Sequence, residues 1–308
     1  MPTWMWNNEL SLQRIIGGNM EFLGSFVMVM SCSKCNVSCK HCYVSYKGNF
    51  SPEELKKITL DLGKKYNVMI NGAEPLVNLE YLNAYPGIHQ EHILTNGLVL
   101  VKQYDKVTDE LKKHGIKKIS ISYHFDIHDE ISKVSKKELE TIFRRLNLDG
   151  FNTRIMSTIT SSNYQLIEQY CRTAHEMGAD GIKFTNFVKQ GNARQLDDRL
   201  ILSEKQKQFF FEQLAKARSI YNKEDLLIER CGTFGRDNTK IDKNFRCGAG
   251  TELAVITPDR MVYPCVFLAK EGNEIGRYEN GKIEILKEFK NNGDKCIACE
   301  KCNIIGER

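Results

Sequence analysis

Strand-like and helix-like segments alternate along most of this chain, and no other feature constrains its fold as strongly. Short apolar or β-branched runs stand at 22–30, 66–70, 91–95, 117–123, 152–159 and 181–187, and helical periodicity follows them. Several of the helices carry start signals. Ser51-Pro52-Glu53-Glu54 supplies an N-cap, a proline at the first helical position and a capping-box glutamate. Ser135 with Glu138 and Ser203 with Gln206 repeat the box, and Asn163 is placed to cap a helix that Gly178 ends. Strands joined through helices make a parallel sheet with right-handed crossovers. The six units are too few to close an eight-stranded barrel. The expected fold class is therefore α/β, a partial (β/α)6 TIM-like barrel with a small C-terminal α+β domain. In such folds the loops at the carboxyl ends of the strands build the site.

The first of those loops carries Cys35-Asn36-Val37-Ser38-Cys39-Lys40-His41-Cys42, a C-x3-C-x2-C run directly after a strand-like segment. Three thiolates on one short loop can hold three irons of a 4Fe–4S cluster. The fourth iron then stays open to a substrate or cofactor. Cys32 adds a C-x2-C just upstream, and paired C-x2-C units suggest zinc. Structural zinc sites, however, usually separate the pairs by a dozen or more residues, and here the gap is three. The ferredoxin order of cysteines is also absent.

Composition narrows the setting. The chain has 308 residues, enough for one large domain or one domain with an appendage. Eleven cysteines would mean disulfides in a secreted protein, but residues 1–21 carry Glu9 and Glu21 and show no secretory signal. The apolar run 22–30 is far too short to span a bilayer. A reducing, cytoplasmic setting with no membrane partner fits, the thiols serving metal. The net charge of +5 is modest, and pairs such as Lys112-Lys113 and Lys136-Lys137 are mixed with acids. That is a solvated surface rather than a nucleic-acid footprint.

At Cys35, Cys39 and Cys42 the chain resembles the radical S-adenosylmethionine (SAM) superfamily. The resemblance implies that SAM chelates the open iron and that one electron cleaves it to methionine and a 5′-deoxyadenosyl radical. It places His41, just before the third cysteine, where the family often has an aromatic residue near the adenine. Asn71-Gly72-Ala73-Glu74-Pro75 stands where the family has its G-G-E-P loop. Small residues at Gly72 and Ala73 would let the backbone approach the ligand, and a carbonyl or Glu74 would accept a bond from the SAM ammonium. Thr95-Asn96-Gly97 resembles the family's T-N-G element, so that Asn96 and Ser122 would face the cofactor, Ser122 towards the ribose. Gly191-Asn192-Ala193 resembles its last SAM-side loop. His124, Asp126 and His128 would share one face, fit for a metal, if extended; a loop is the favoured reading. Cys171 falls on an apolar helix face and reads as core.

The composition changes after about residue 200. The expected division is a lead segment 1–21, a barrel 22–200, a helical connector 201–230 and an auxiliary domain 231–308, with strand-like pieces at 252–257, 261–267 and 282–286. Cys247, Cys265, Cys296, Cys299 and Cys302 resemble the ligands of SPASM and twitch domains, Cys247 and Cys265 flanking a hairpin that turns at Pro258-Asp259-Arg260. Their number suits one auxiliary 4Fe–4S cluster on Cys247, Cys265, Cys296 and Cys299, with Cys302 able to replace either of the last two. Zinc is the alternative. Cys231 and Cys32 are left as hydrogen-atom donor candidates of the kind an epimerase needs. The resemblance favours a ribosomally made peptide as substrate, cross-linked, oxidised or epimerised. A separate leader-binding protein and a low-potential electron donor of flavodoxin or ferredoxin type would be partners. A small amino sugar-like molecule dehydrogenated by the same chemistry is one alternative. A non-catalytic iron–sulfur or zinc protein is another.

Overall fold

The computed structural model describes residues 13–16, 19–231, 234, 247–287 and 289. Within them β1 (Gln13–Ile16), β2 (Asn19–Phe22) and β3 (Phe26–Met30) precede α1 (Pro52–Gly63) and β4 (Asn67–Asn71). Then come β5 (His92–Thr95), α2 (Leu98–Lys102), α3 (Tyr104–Lys113), β6 (Lys118–Ser122), α4 (His128–Ile131), α5 (Lys136–Leu148), β7 (Asn152–Ile159), α6 (Ile167–Glu176) and β8 (Gly181–Asn186). The chain finishes with α7 (Glu204–Ile220), β9 (Leu227–Arg230), β10 (Leu253–Ile256), β11 (Met261–Tyr263), β12 (Gly276–Glu279) and β13 (Lys282–Ile285).

Each of the six expected strands is present, shortened at one or both ends except for 152–159. The capping boxes at Ser51 and Ser203 close in both directions, and the Ser135 hydroxyl takes the Glu138 N–H. Asn163 does not cap a helix. Helix α6 starts after Leu166 without a side-chain cap. The Asn163 amide oxygen instead accepts the Thr160 N–H at 2.8 Å, closing the turn that precedes the helix. Gly178 ends α6 at φ +77°, its N–H donating to the His175 carbonyl.

Two sheets form the body. One is all parallel, in the order β5-β6-β7-β8-β9. The other runs β1-β2-β13-β12-β11-β10-β3-β4. Within it β10 pairs parallel with β3, Leu253 opposite Phe26 through Ile256 opposite Val29. The segment 201–230 ends in β9, which joins the parallel sheet, and the C-terminal strands extend the sheet that holds β3. The parallel strands thus number eight rather than six, in two runs, β10-β3-β4 and β5 to β9. Among the described residues no ladder joins β9 to β10, so the barrel is open.

The seam between β4 and β5 is closed by one side chain. The Gln90 amide oxygen accepts the Ile70 N–H at 2.6 Å, and its NH2 donates to the carbonyls of Ile70 (3.1 Å) and His92 (2.7 Å). It does the work of a strand residue, satisfying backbone groups that would otherwise lie unpaired. On the outer face Ile119, Ile121, Ile155, Ile182 and Phe184 are buried beneath the helices with Leu111, Leu139, Phe143 and Phe210. Each such side chain contributes about 1.5–3 kcal/mol. The inner face lines a lumen that opens, by the polarity of the strands, below the cysteine loop. Among the described residues no helix is long and apolar enough to cross a membrane.

Candidate active site

The cysteine loop leaves the carboxyl end of β3 and is held from three sides. Beneath it, the Ala73 N–H donates to the Cys32 carbonyl at 2.9 Å, and the Tyr46 hydroxyl donates to the same oxygen at 3.2 Å. On one flank the Lys40 N–H donates to the Ile131 carbonyl at 3.1 Å. On the other, the Asn192 amide donates to the Cys39 carbonyl (3.1 Å) and the Ala193 N–H to the Cys42 carbonyl (3.3 Å). Gly191 makes that approach possible. It sits at φ +58°, and a Cβ there would lie 2.6 Å from the carbonyl oxygens of both Cys42 and Val44. The Gly191-Asn192-Ala193 loop is therefore a clasp on the cysteine loop, a task its sequence alone did not disclose.

Cys35, Cys39 and Cys42 are each partly exposed. Burial pushes the Cys35 thiol up to about 11 and raises those of Cys39 and Cys42. The charge of Cys39 adds to the rise at both of the others, so the three sulfurs share one neighbourhood. Hydrogen bonds from the Lys133 backbone and the Ser132 side chain work against the rise at Cys39. Among the described residues no three metal-binding side chains gather closely enough to hold a single ion. Three partly exposed thiols on one loop are, in number and kind, the donor set that three irons of a 4Fe–4S cluster take. The Asn96 amide donates to the Cys35 sulfur at 3.5 Å and to the Asn36 side chain at 2.9 Å, while its oxygen accepts the Leu98 N–H.

The loop after β4 is braced from beneath and from the side. Gly72 is small because of what lies beneath it: a Cβ would meet the Ser31 hydroxyl at 2.5 Å and the Cys32 sulfur at 3.3 Å. Glu74 is wholly buried. Its carboxylate accepts from the Leu76 N–H (3.1 Å), the Thr95 hydroxyl (2.8 Å) and the Asn96 N–H (2.6 Å). Burial lifts its pKa to about 7 against those bonds. The carboxylate thus ties the loops after β4 and β5 together. Ser122 ends β6 partly exposed, on the inner face, opposite Met156 of β7.

His41 does not stand alone before Cys42. Its ring meets that of His124 edge to face at 4.5 Å, and His124 stacks on His128 at 5.5 Å. The hydrogen bonds fix every tautomer. His128 Nδ1 accepts the His124 N–H and its Nε2 donates to the Val134 carbonyl. His124 Nδ1 accepts the Thr158 N–H, and His41 Nδ1 donates to the Ile131 carbonyl. Burial lowers all three, His41 to about 4, so the row is neutral. His124, Asp126 and His128 do not form an extended metal-binding face: a 3₁₀ turn over Phe125–Ile127 and helix α4 carry them, as the loop reading had it. This row is legible only in space, because His41 lies some eighty residues from its partners.

Cys32 is wholly buried, its thiol donating to the carbonyls of Lys34 and Glu74, so it belongs to the floor of the loop rather than to a cavity wall where a hydrogen donor must stand. Cys171 is core, as expected. Cys231 follows β9 on the clasp side. With Cys42 and Cys265 its charge acts on the Tyr43 hydroxyl, which burial already raises, so Tyr43 lies between the first cysteine loop and the C-terminal cysteines. The Tyr43 ring also packs on Phe267 at 4.7 Å. Cys247 and Cys265 meet in one small apolar cluster with Ala249, Leu268 and Phe289. The hairpin between them is present, β10 pairing antiparallel with β11 around Pro258-Asp259-Arg260. Cys296, Cys299 and Cys302 lie outside the described residues.

Comparison with known proteins adds to this geometry. No family model matches the chain. The curated GTP 3',8-cyclase of Helicobacter pylori (strain HPAG1) is 24% identical over 193 residues, which is 55% of this chain and 57% of that protein. Streptococcus suis SuiB, solved with its precursor peptide SuiA, superposes with a TM-score of 0.66 at 15% identity, over 83% of this chain and 62% of SuiB. A second solved structure, anSMEcpe with bound AdoMet, gives a TM-score of 0.60 at 16% identity, over 82% of this chain and 77% of that one. The α/β fold with its parallel sheet is the fold of these structures. The chain spans less than two thirds of the length of the cyclase and of SuiB.

Proposed function

We propose that this chain is a radical SAM enzyme that abstracts a hydrogen atom from a substrate carbon. The observation that carries the reading is the three-cysteine loop at the carboxyl end of β3, clasped by Gly191-Asn192-Ala193 and bonded through Asn96 to Cys35. SuiB and anSMEcpe, which share the fold, have been solved with S-adenosylmethionine bound. Cys35, Cys39 and Cys42 would hold a 4Fe–4S cluster, which when bound supplies the electron that splits SAM into methionine and a 5′-deoxyadenosyl radical. The chain's own residues orient and enclose. The neutral His41 ring stands beside the third ligand for the adenine, Ser122 stands on the inner face for the ribose, and backbone carbonyls after β4 stand ready for the ammonium. Asn96 holds the Cys35 sulfur by a hydrogen bond, one of the means by which proteins set a cluster's potential.

The substrate we favour is a ribosomally made peptide, as SuiB binds its precursor peptide. An amino sugar-like small molecule is the second reading, favoured by the likeness to a cyclase that acts on GTP. Cys247 and Cys265 would join the C-terminal cysteines on one auxiliary 4Fe–4S cluster, with Tyr43 and Phe267 between the two sites. A cleft of about 720 Å³ beside Cys35 and Asn36, its rim mixing Lys34, Lys106 and Lys113 with Glu80 and Glu110, is where a low-potential flavodoxin or ferredoxin would approach as reductant. The test is anaerobic reconstitution followed by assay for 5′-deoxyadenosine. The wild type should form it, and Cys39→Ala should not while keeping the C-terminal cluster's iron. A Cys39→Ala protein that cleaves SAM normally would sink the assignment.

A further inference from the structure

The lumen is charged below the cysteine loop, and nothing in the proposed chemistry accounts for it. Ser122, Met156, Lys183 and Glu229 make one rung across β6, β7, β8 and β9. One rung towards the strand starts, Ser120 pairs with Arg154 and Arg154 with Gly181; the next holds Lys118. These side chains alternate with the residues buried under the helices, so they share the inner face. Arg154 confirms the placement. It crosses β8 above Gly181, which has no side chain to block it, and its Nη1 reaches Glu229 Oε2 on β9 at 3.0 Å.

That pair consumes the single carboxylate of the group. Lys183 makes no ion pair among the described residues, although it is only partly exposed, and Lys118 makes none either. The imidazole of His92, bonded to the Ser120 hydroxyl at 2.7 Å, lies within the field of all three cations. Burial and those cations together drive it down to about 4, so it cannot relieve them by adding charge of its own. The wall around Lys183 is mixed: Met156 stands beside it, Thr158 and Thr185 stand one rung above, their hydroxyls 3.4 Å apart, and Met69 on β4 is 40% exposed. Lys118 is exposed at the start of β6, so Lys183 is the half-buried cation of this face that is left without a carboxylate, and an anion is the complement it lacks.

We propose that Lys183 binds an anionic group on the substrate, a carboxylate or a phosphate, while Arg154 and Glu229 form the fixed wall of that subsite. This deepens the radical SAM reading and rests on it for the identity of the ligand as substrate. Lys183 lies two strands from Ser122, roughly 10 Å by strand spacing. A substrate anchored there would project its neighbouring carbons towards the level of the proposed ribose contact. For a peptide substrate this means an acidic residue next to the reacting one.

Binding to the anaerobically reconstituted holoprotein, with methionine methyls carbon-13 labelled, tests the proposal without turnover. Met156 and Met69 report by NMR. The probes are acetyl-Gly-Glu-Gly-amide, its glutamine counterpart and inorganic pyrophosphate. The glutamate peptide or pyrophosphate should move the Met156 methyl at concentrations about tenfold lower than the neutral peptide, an advantage of about 1.4 kcal/mol. Lys183→Gln should abolish that advantage and Lys183→Arg should restore most of it. A response to pyrophosphate alone assigns a phosphate ligand, and a response to the glutamate peptide assigns a carboxylate. Equal response to both peptides without one to pyrophosphate, or response to none, overturns the proposal. Titration of SAM in the same samples separates the two readings. A protein that discriminates the anions but does not bind SAM keeps the subsite and loses the radical SAM assignment.

Discussion

The two sheets meet around one lumen but are assembled in opposite ways. The five-stranded sheet comes from one continuous stretch, His92 to Arg230, each strand beside the next in sequence. The eight-stranded sheet draws on three separate stretches, 13–30, 67–71 and 253–285. The cysteine loop hangs from the second kind of sheet and is clasped by a loop of the first. Its geometry is therefore a property of the whole chain. A chain ended at Cys231 makes the hardest test, because it strips β10 from β3 and leaves Met30 and Tyr46 without Val255 and Tyr263. We expect no cooperatively folded protein, judged by thermal unfolding. A soluble fragment with a sharp transition near that of the full chain would mean that the barrel stands without its C-terminal strands.

The clasp gives the next largest effect. Gly191→Ala drives a Cβ to 2.6 Å from two backbone carbonyl oxygens at a positive φ. We expect a loss of about 3 kcal/mol or more, together with reduced iron retention by the first cysteine loop. Gly150→Ala is the comparison within the five-stranded sheet's connections. It has φ +79° but nothing within 4 Å, so only the left-handed strain of about 1–2 kcal/mol applies. Equal losses from the two, with unchanged iron, would show that the clasp does not hold the cysteine loop.

The same contrast explains what could be seen in the sequence. The strands of the local sheet announce themselves through β-branched runs between capped helices, and the Ser51 and Ser203 boxes form as their spacing demands. The three-cysteine loop is equally legible, since its chemistry lies within eight consecutive residues. What escaped is non-local. Residues 252–257 read as a strand, but no local signal says that it lies beside Phe26–Val29. Strand β12 and strand β9 were missed because Gly276-Arg277-Tyr278-Glu279 and Leu227-Ile228-Glu229-Arg230 are short and half polar. Lys118, Arg154 and Lys183 look like the solvent side of alternating strands, and only closure of the barrel turns that side inward. Asn163 shows the converse, a residue with the right chemistry for a cap that spends it on a neighbouring turn.

Between the sheets, Gln90 stands in for a missing ladder. Gln90→Ala removes three hydrogen bonds and leaves the Ile70 N–H and the Ile70 and His92 carbonyls to find other partners. We expect a loss of roughly 1–3 kcal/mol, with hydrogen exchange accelerated first at Ile70 rather than within β6 to β8. Uniform acceleration across both sheets would show that the seam opens only with global unfolding.

The smallest effect is one of pH, and the two regions pull in opposite directions. In the local sheet His92 is held down to about 4, while at the cysteine loop His41 is held to about 4 and His124 and His128 are also lowered. Such groups take up protons in the unfolded chain first. Their stabilising contribution is present above about 6.5 and is lost as pH falls towards 4. Glu74 acts the other way. Its raised pKa of about 7 means that the folded chain takes the proton first, so lowering pH from 7 towards 4.5 stabilises. Between pH 7 and 6 a histidine shifted as far as His92 costs roughly 0.7 kcal/mol, and Glu74 returns about 1 kcal/mol. The three histidines held furthest down, His41, His92 and His124, together outweigh one glutamate, so the chain should lose stability as pH drops through that range. His92→Gln should flatten the loss by about a single histidine's share, read from denaturant unfolding at each pH, and Glu74→Gln should steepen it. If His92→Gln leaves the slope unchanged, His92 is not held neutral in the lumen, and the cations around it are already matched by charge from elsewhere in the molecule.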